Sequence, residues 1–130
     1  MKILRGRENG APSNPRSDTF TGTVWMDPVV APTDGVAVNT VFFPPGARTH
    51  WHRHTEGQLL LVTHGRGYVQ SDPDEGSWVL PGDVVYVPAG EQHWHGAGPE
   101  SYLVHVAVSL GTTEWSTEVT DEHYRSLLNP

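Results

Sequence analysis

Beyond Asp18 the chain alternates short apolar runs with tight polar punctuation. Segments rich in Val, Thr, Phe, Trp and Tyr fall at roughly Phe20 to Met26, Val36 to Phe43, Thr49 to His54, Gln58 to Thr63, Gly67 to Gln70, Ser77 to Leu80, Val84 to Val87, Gln92 to Gly96 and Tyr102 to Leu110. Such composition suits half-buried strands. Between them lie Pro44-Pro45-Gly46, Gly65-Arg66-Gly67, Asp72-Pro73-Asp74-Glu75-Gly76, Pro81-Gly82-Asp83, Pro88-Ala89-Gly90 and Gly96-Ala97-Gly98-Pro99. These supply the fixed and positive φ angles that turns require. Many short strands joined by close turns predict an all-β antiparallel barrel or jelly roll. One helix is expected, at the end: Thr120 suits the N-cap, Asp121 and Glu122 suit the positive end of the dipole, and the segment runs to about Leu128. Residues 1–18 show no periodicity and read as an irregular arm, which leaves 19–130 as a single domain.

Length and charge narrow the function classes. With 130 residues the chain has room for one ordinary domain. Lys and Arg number 8 against 15 Asp and Glu, for a net charge of -7, and no segment gathers the basic residues. Nucleic acid is therefore not an expected partner. No run of 18 apolar residues occurs and the start has no signal-peptide pattern, so no membrane association is expected and a cytoplasmic location is. Cysteine is absent, so a metal here would have nitrogen and oxygen ligands.

Eight histidines are the notable excess. His52 and His54 stand two apart in a strand-like run, and the period of two sends both rings to one face. Gln58 follows the Thr55-Glu56-Gly57 bend, where the returning strand can offer an amide oxygen to the same point, and His93 completes the set from a separate hairpin. On the same alternation His50 is in phase with His52, and His95 with His93. His105 alternates with apolar neighbours in Leu103 to Ser109, which suits either a pocket acid or base or a satisfied core histidine. His50 and His95 divide between pocket roles and plain barrel polarity, while His64 and His123 read as surface residues. Trp51 falls opposite the ligands and suits outer packing; Trp94 and Tyr86 are candidates for shaping a pocket. Arg48 suits either an anionic substrate or a structural hydrogen-bond role.

Gly46 to Gly65, containing His52-Arg53-His54 and Gln58, resembles the first cupin motif at every spacing. Gly82 to Ala97, containing Pro88-Ala89-Gly90 and His93, resembles the second, with Ala97 in place of its usual terminal asparagine. Gln58 stands where most cupins carry glutamate. Further segments are similar to small bacterial cupins that include manganese-dependent hydroxynitrile lyases, among them Phe20-Thr21-Gly22-Thr23-Val24, Pro45-Gly46-Ala47-Arg48-Thr49, His93-Trp94-His95-Gly96-Ala97 and Val119-Thr120-Asp121-Glu122. The resemblance implies a cupin jelly roll holding one divalent metal on His52, His54, Gln58 and His93, with Mn(II) favoured over Fe(II), Ni(II), Co(II) or Zn(II). It implies a small-molecule substrate, cyanohydrin cleavage or formation, a catalytic role for His105, and a homodimer; His95 and His50, in phase with the ligand strands, are the further catalytic candidates. His50 and Ser109 stand where the lyases would carry a small residue and a longer amide. A dioxygenase and a non-catalytic ligand-binding barrel are the alternatives.

Overall fold

The protein is described by a computed structural model over residues 1–5, 12–72 and 76–128. Thirteen strands and one helix follow in order: β1 (Asn14–Arg16), β2 (Phe20–Thr21), β3 (Val24–Thr33), β4 (Val36–Phe43), β5 (Arg48–Thr49), β6 (His52–His54), β7 (Gly57–Gly65), β8 (Gly67–Ser71), β9 (Gly76–Val79), β10 (Val84–Val87), β11 (His93–Ala97), β12 (Leu103–Leu110), β13 (Thr113–Trp115) and α1 (Asp121–Leu128). Two antiparallel sheets face each other as a jelly roll. One runs β1-β3-β4-β12-β7-β10, the other β13-β6-β11-β5-β2, with β8 bridging β11 and β9.

Alternation explains which side chains enter the barrel. Leu103, His105 and Ala107 on β12 are buried while Val104, Val106 and Val108 face outward, half-buried. On β7 the inward set is Gln58, Leu60 and Val62, and on β4 it is Val41 and Phe43. These apolar side chains join Phe20, Val24, Val79 and Leu103 in one core, and the polar members share its inner surface. A second apolar cluster lies outside the other sheet, where Trp94, Val119, Tyr124 and Leu128 pack the helix against β11. Thr120 caps α1 as expected, its Oγ1 accepting from the His123 amide at 3.1 Å.

Several expected elements differ. The run Phe20 to Met26 divides at Gly22, whose φ of +80° turns the chain between β2 and β3. Strand β3 then continues through Pro28 and Pro32, with register shifts against β4 that absorb the missing donors. The arm is not wholly irregular: Asn14–Arg16 adds an edge strand to β3, although residues 6–11 of it lie outside the described residues. The predicted turn at 72–76 likewise falls partly there, at residues 73–75.

The run Thr49 to His54 is also interrupted. From Gly96 to His93 on β11 is three steps, yet their partners Arg48 and His52 lie four apart, so one extra residue is inserted at His50–Trp51. The His50 amide leaves the ladder to donate to the Thr19 carbonyl at 2.8 Å, and that of Trp51 donates to the Thr117 carbonyl at 2.9 Å. Thr49 and His52 therefore both face inward, and His50 loses the phase that the sequence suggested. Gly57 makes the bend into β7: its φ is +100°, and a Cβ there would lie 2.7 Å from the Val87 carbonyl oxygen. Among the described residues no helix is long and apolar enough to cross a membrane.

Candidate metal centre

Five histidines converge inside the barrel. His52 and His54 come from β6, His93 and His95 from β11, and His105 from β12; all are buried. The ring centroids of His52 stand 4.3 Å from His93, 5.1 Å from His54 and 5.2 Å from His95. One ligand atom each from His52, His93 and His95 lies within 4.8 Å of the other two. The structure thus gathers His52, His54 and His93 as predicted, and it adds His95 to the donors within reach.

Hydrogen bonds fix which nitrogen each ring presents. His52 Nδ1 lies 2.9 Å from the His50 carbonyl oxygen and His93 Nδ1 lies 3.0 Å from that of Glu91. A carbonyl only accepts, so both Nδ1 atoms carry the hydrogen and both Nε2 atoms carry the lone pair. His54 Nδ1 contacts the Thr113 hydroxyl at 3.0 Å, and its Nε2 is buried without a partner. Burial holds all five rings below the ordinary imidazole range, aided by mutual repulsion at His52, His54 and His95; His54 and His105 fall to about 4. All are therefore neutral near pH 7, the form that binds metals.

Gln58 supplies the oxygen. Its Nε2 donates to Ser109 Oγ at 3.0 Å, which turns Oε1 toward His93 Nε2 at 2.8 Å. Because His93 Nδ1–H is already engaged and the ring is neutral, two lone pairs face each other there. A shared cation resolves that contact. With the unpartnered His54 Nε2 beside it, this neutral set of three nitrogens and one oxygen fits a divalent metal.

His105 and His95 form a pair beside these donors. His105 Nε2 and His95 Nδ1 are 2.9 Å apart, while the opposite nitrogens, His95 Nε2 and His105 Nδ1, are buried and unpartnered. A neutral pair sharing one hydrogen bond presents a lone pair at one free end and an N–H at the other, whichever tautomer it adopts. Both rings line a cavity of 520 Å³ with His52, His54 and Gln58, and apolar side chains are set among them: Val41 pairs with His105 across the ladder, Phe43 lies 5.1 Å from the His105 ring and Trp115 4.6 Å from that of His52. His93 lies behind that wall and borders a smaller recess of 290 Å³. The lining of the large cavity thus mixes proton-active imidazoles with apolar side chains.

His50 stands apart from these rings. The inserted residue removes its ring from the cavity lining, and its contribution is the backbone carbonyl that orients His52. Arg48 is also settled: buried at 3% exposure, it donates to the carbonyls of Val119 and Gly46 and pairs with Asp121 at 2.7 Å, with Tyr124 stacked against its guanidinium. It ties α1 to the barrel and lines neither the large cavity nor the smaller recess. Trp94 points outward under the helix, Tyr86 is 72% exposed and borders the smaller recess, and Trp51 packs outside as expected. His64 is on the surface, whereas His123 is half-buried and meets Gln70 Oε1 at 2.8 Å. Sequence reasoning missed Thr113 and Trp115. Their strand is three residues long, and only its pairing with β6, Thr113 to His54 and Trp115 to His52, brings them to the site.

Known proteins agree with this architecture. The family profile for the cupin domain matches residues 39–108. An (R)-mandelonitrile lyase of Granulicella tundricola is 42% identical over 131 residues, covering 96% of this chain and 99% of that protein. An acireductone dioxygenase of Gluconobacter oxydans is 35% identical over 74 residues, 55% of this chain and 39% of its own length. The crystal structure of a cupin-like protein from Thermotoga maritima superposes with a TM-score of 0.86 at 39% identity, covering 99% of this chain and 98% of the other. This chain belongs to the cupin family.

Proposed function

We propose that the protein is a metal-dependent lyase that cleaves or forms a cyanohydrin-type bond in a small oxygen-bearing substrate. The observation carrying this reading is the cavity itself, where a neutral metal-type donor set adjoins a histidine pair with two uncommitted nitrogens. The likeness to a mandelonitrile lyase over nearly the whole chain supports the same chemistry. His52, His54, Gln58 and His93 would hold the ion, with Mn(II) the favoured occupant. Such a cation supplies Lewis acidity toward a hydroxyl or carbonyl oxygen.

The chain's own residues account for the protons. The lone-pair end of the His95–His105 pair accepts the proton of the substrate hydroxyl. The carbon–carbon bond breaks, its electrons leave with cyanide, and the N–H end of the pair protonates the leaving group. A hydrogen shift along the 2.9 Å contact links the two transfers, so aldehyde and hydrogen cyanide form while the pair changes tautomer. The apolar side chains of Phe20, Phe43 and Trp115 in the same lining hold the carbon skeleton.

Release of benzaldehyde and cyanide from mandelonitrile by Mn(II)-loaded protein, lost in His105→Ala and His95→Ala, is the expected result. No turnover by loaded protein would refute the assignment. The shorter likeness to acireductone dioxygenases favours a second reading, oxygenation by an Fe(II) or Ni(II) form, and oxygen uptake with an enediol substrate distinguishes it.

We further infer that two copies pair through the outer face of the six-stranded sheet. Phe42, Leu61, Val84 and Tyr86 are exposed there, and Val104, Val106 and Val108 continue the apolar surface without a charge. A patch of that kind is self-complementary across a two-fold axis. Light scattering should report twice the chain mass; a monomer would contradict the pairing.

A further inference from the structure

Ser109 stands at the junction of the metal-type donors and the cavity, and the proton chemistry above makes no use of it. It lies on β12 directly opposite Gln58 of β7, both facing the interior, and its other cross-strand neighbour is Ala37, which has no polar side-chain atom. Its Oγ accepts a hydrogen bond from Gln58 Nε2 at 3.0 Å. A primary carboxamide has two ends of nearly equal size and shape, so packing alone does not decide which of them faces the histidines. A hydrogen bond at the far end anchors the group, and here the Ser109 hydroxyl takes the nitrogen end while the oxygen faces His93.

We infer that Ser109 is a positioning residue that holds the Gln58 carboxamide with its oxygen toward His93 and so makes Gln58 a cation donor. The inference rests on the metal-binding reading above and extends it to a residue outside the donor set. Turned about, the same amide would present N–H groups to the ion's place, and the oxygen donor would be lost. A carboxylate would need no such device, because both of its ends are oxygen. The wider family places glutamate there more often, which is why neither residue signals this role by itself.

The test uses Mn(II) alone as probe, with affinity read by competition against a fluorescent chelator on full-length protein. Ser109→Ala should bind Mn(II) about tenfold more weakly than wild type, the range seen when an outer hydrogen-bond partner of a ligand is removed. Ser109→Thr, which keeps the hydroxyl, should restore most of the affinity. In a Gln58→Ala background the Ser109→Ala change should cost nothing further, an interdependence that a general packing role would not produce. Wild-type affinity in Ser109→Ala, or an undiminished loss in the Gln58→Ala background, would overturn the positioning role. A wild-type protein that binds no Mn(II) would instead bring down the metal reading and this inference with it.

Discussion

Acidification of the metal-free protein should unfold it by a calculable amount through His105. In the folded chain burial lowers this ring from 6.5 to about 4, whereas the unfolded chain restores the ordinary value. Between those values the unfolded state binds more protons than the folded one, so stability falls as pH falls. The two values place the loss from His105 at about 2 kcal/mol between pH 7 and pH 5, with little further loss once the folded ring itself titrates near pH 4. His52, His54, His93 and His95 are shifted the same way and steepen the wild-type slope. Urea unfolding in the presence of chelator, at pH 7 and at pH 5, measures the sum, and His105→Gln isolates one share of it. The variant should lose about 2 kcal/mol less than wild type over that interval. Parallel losses in the two proteins would refute the claim that burial in this cavity holds His105 neutral.

Other consequences test the frame around the site. Arg48→Met keeps much of the apolar stem but strands the Val119 carbonyl and the Asp121 contact, so it should cost on the order of 2 to 4 kcal/mol in urea unfolding and loosen α1 in hydrogen exchange. Gly57→Ala should cost well over about 1 kcal/mol, since the added Cβ meets both a positive φ and the Val87 carbonyl, and it should weaken metal binding by displacing Gln58. An unchanged midpoint in either variant would contradict the structural role assigned to that residue.

Much of the site was legible in the sequence because strand alternation is a local rule. It put His52 and His54 on one face and His93 with His95 on another, and it kept His105 in phase with Leu103 and Ala107. It failed at His50 for a physical reason: a single inserted residue shifts the phase of everything on one side of it, and only pairing with β11 shows the insertion. Long-range pairing also hid Thr113 and Trp115, whose short strand has no pattern of its own. The run expected to end near Met26 continues through Pro28 and Pro32 to Thr33, with register shifts against β4. Arg48 could not be assigned from position alone, because its partners lie some seventy residues away in the chain.

The most direct test is the metal content of protein purified without chelator and of its Mn(II)-reconstituted form, set beside single alanine replacements of His52, His54, Gln58 and His93. One ion per wild-type chain, and a marked loss in every replacement, is the result that follows from four donors meeting at one point. A wild-type protein that stays metal-free after reconstitution, or replacements that retain a full complement, would contradict the account at its root.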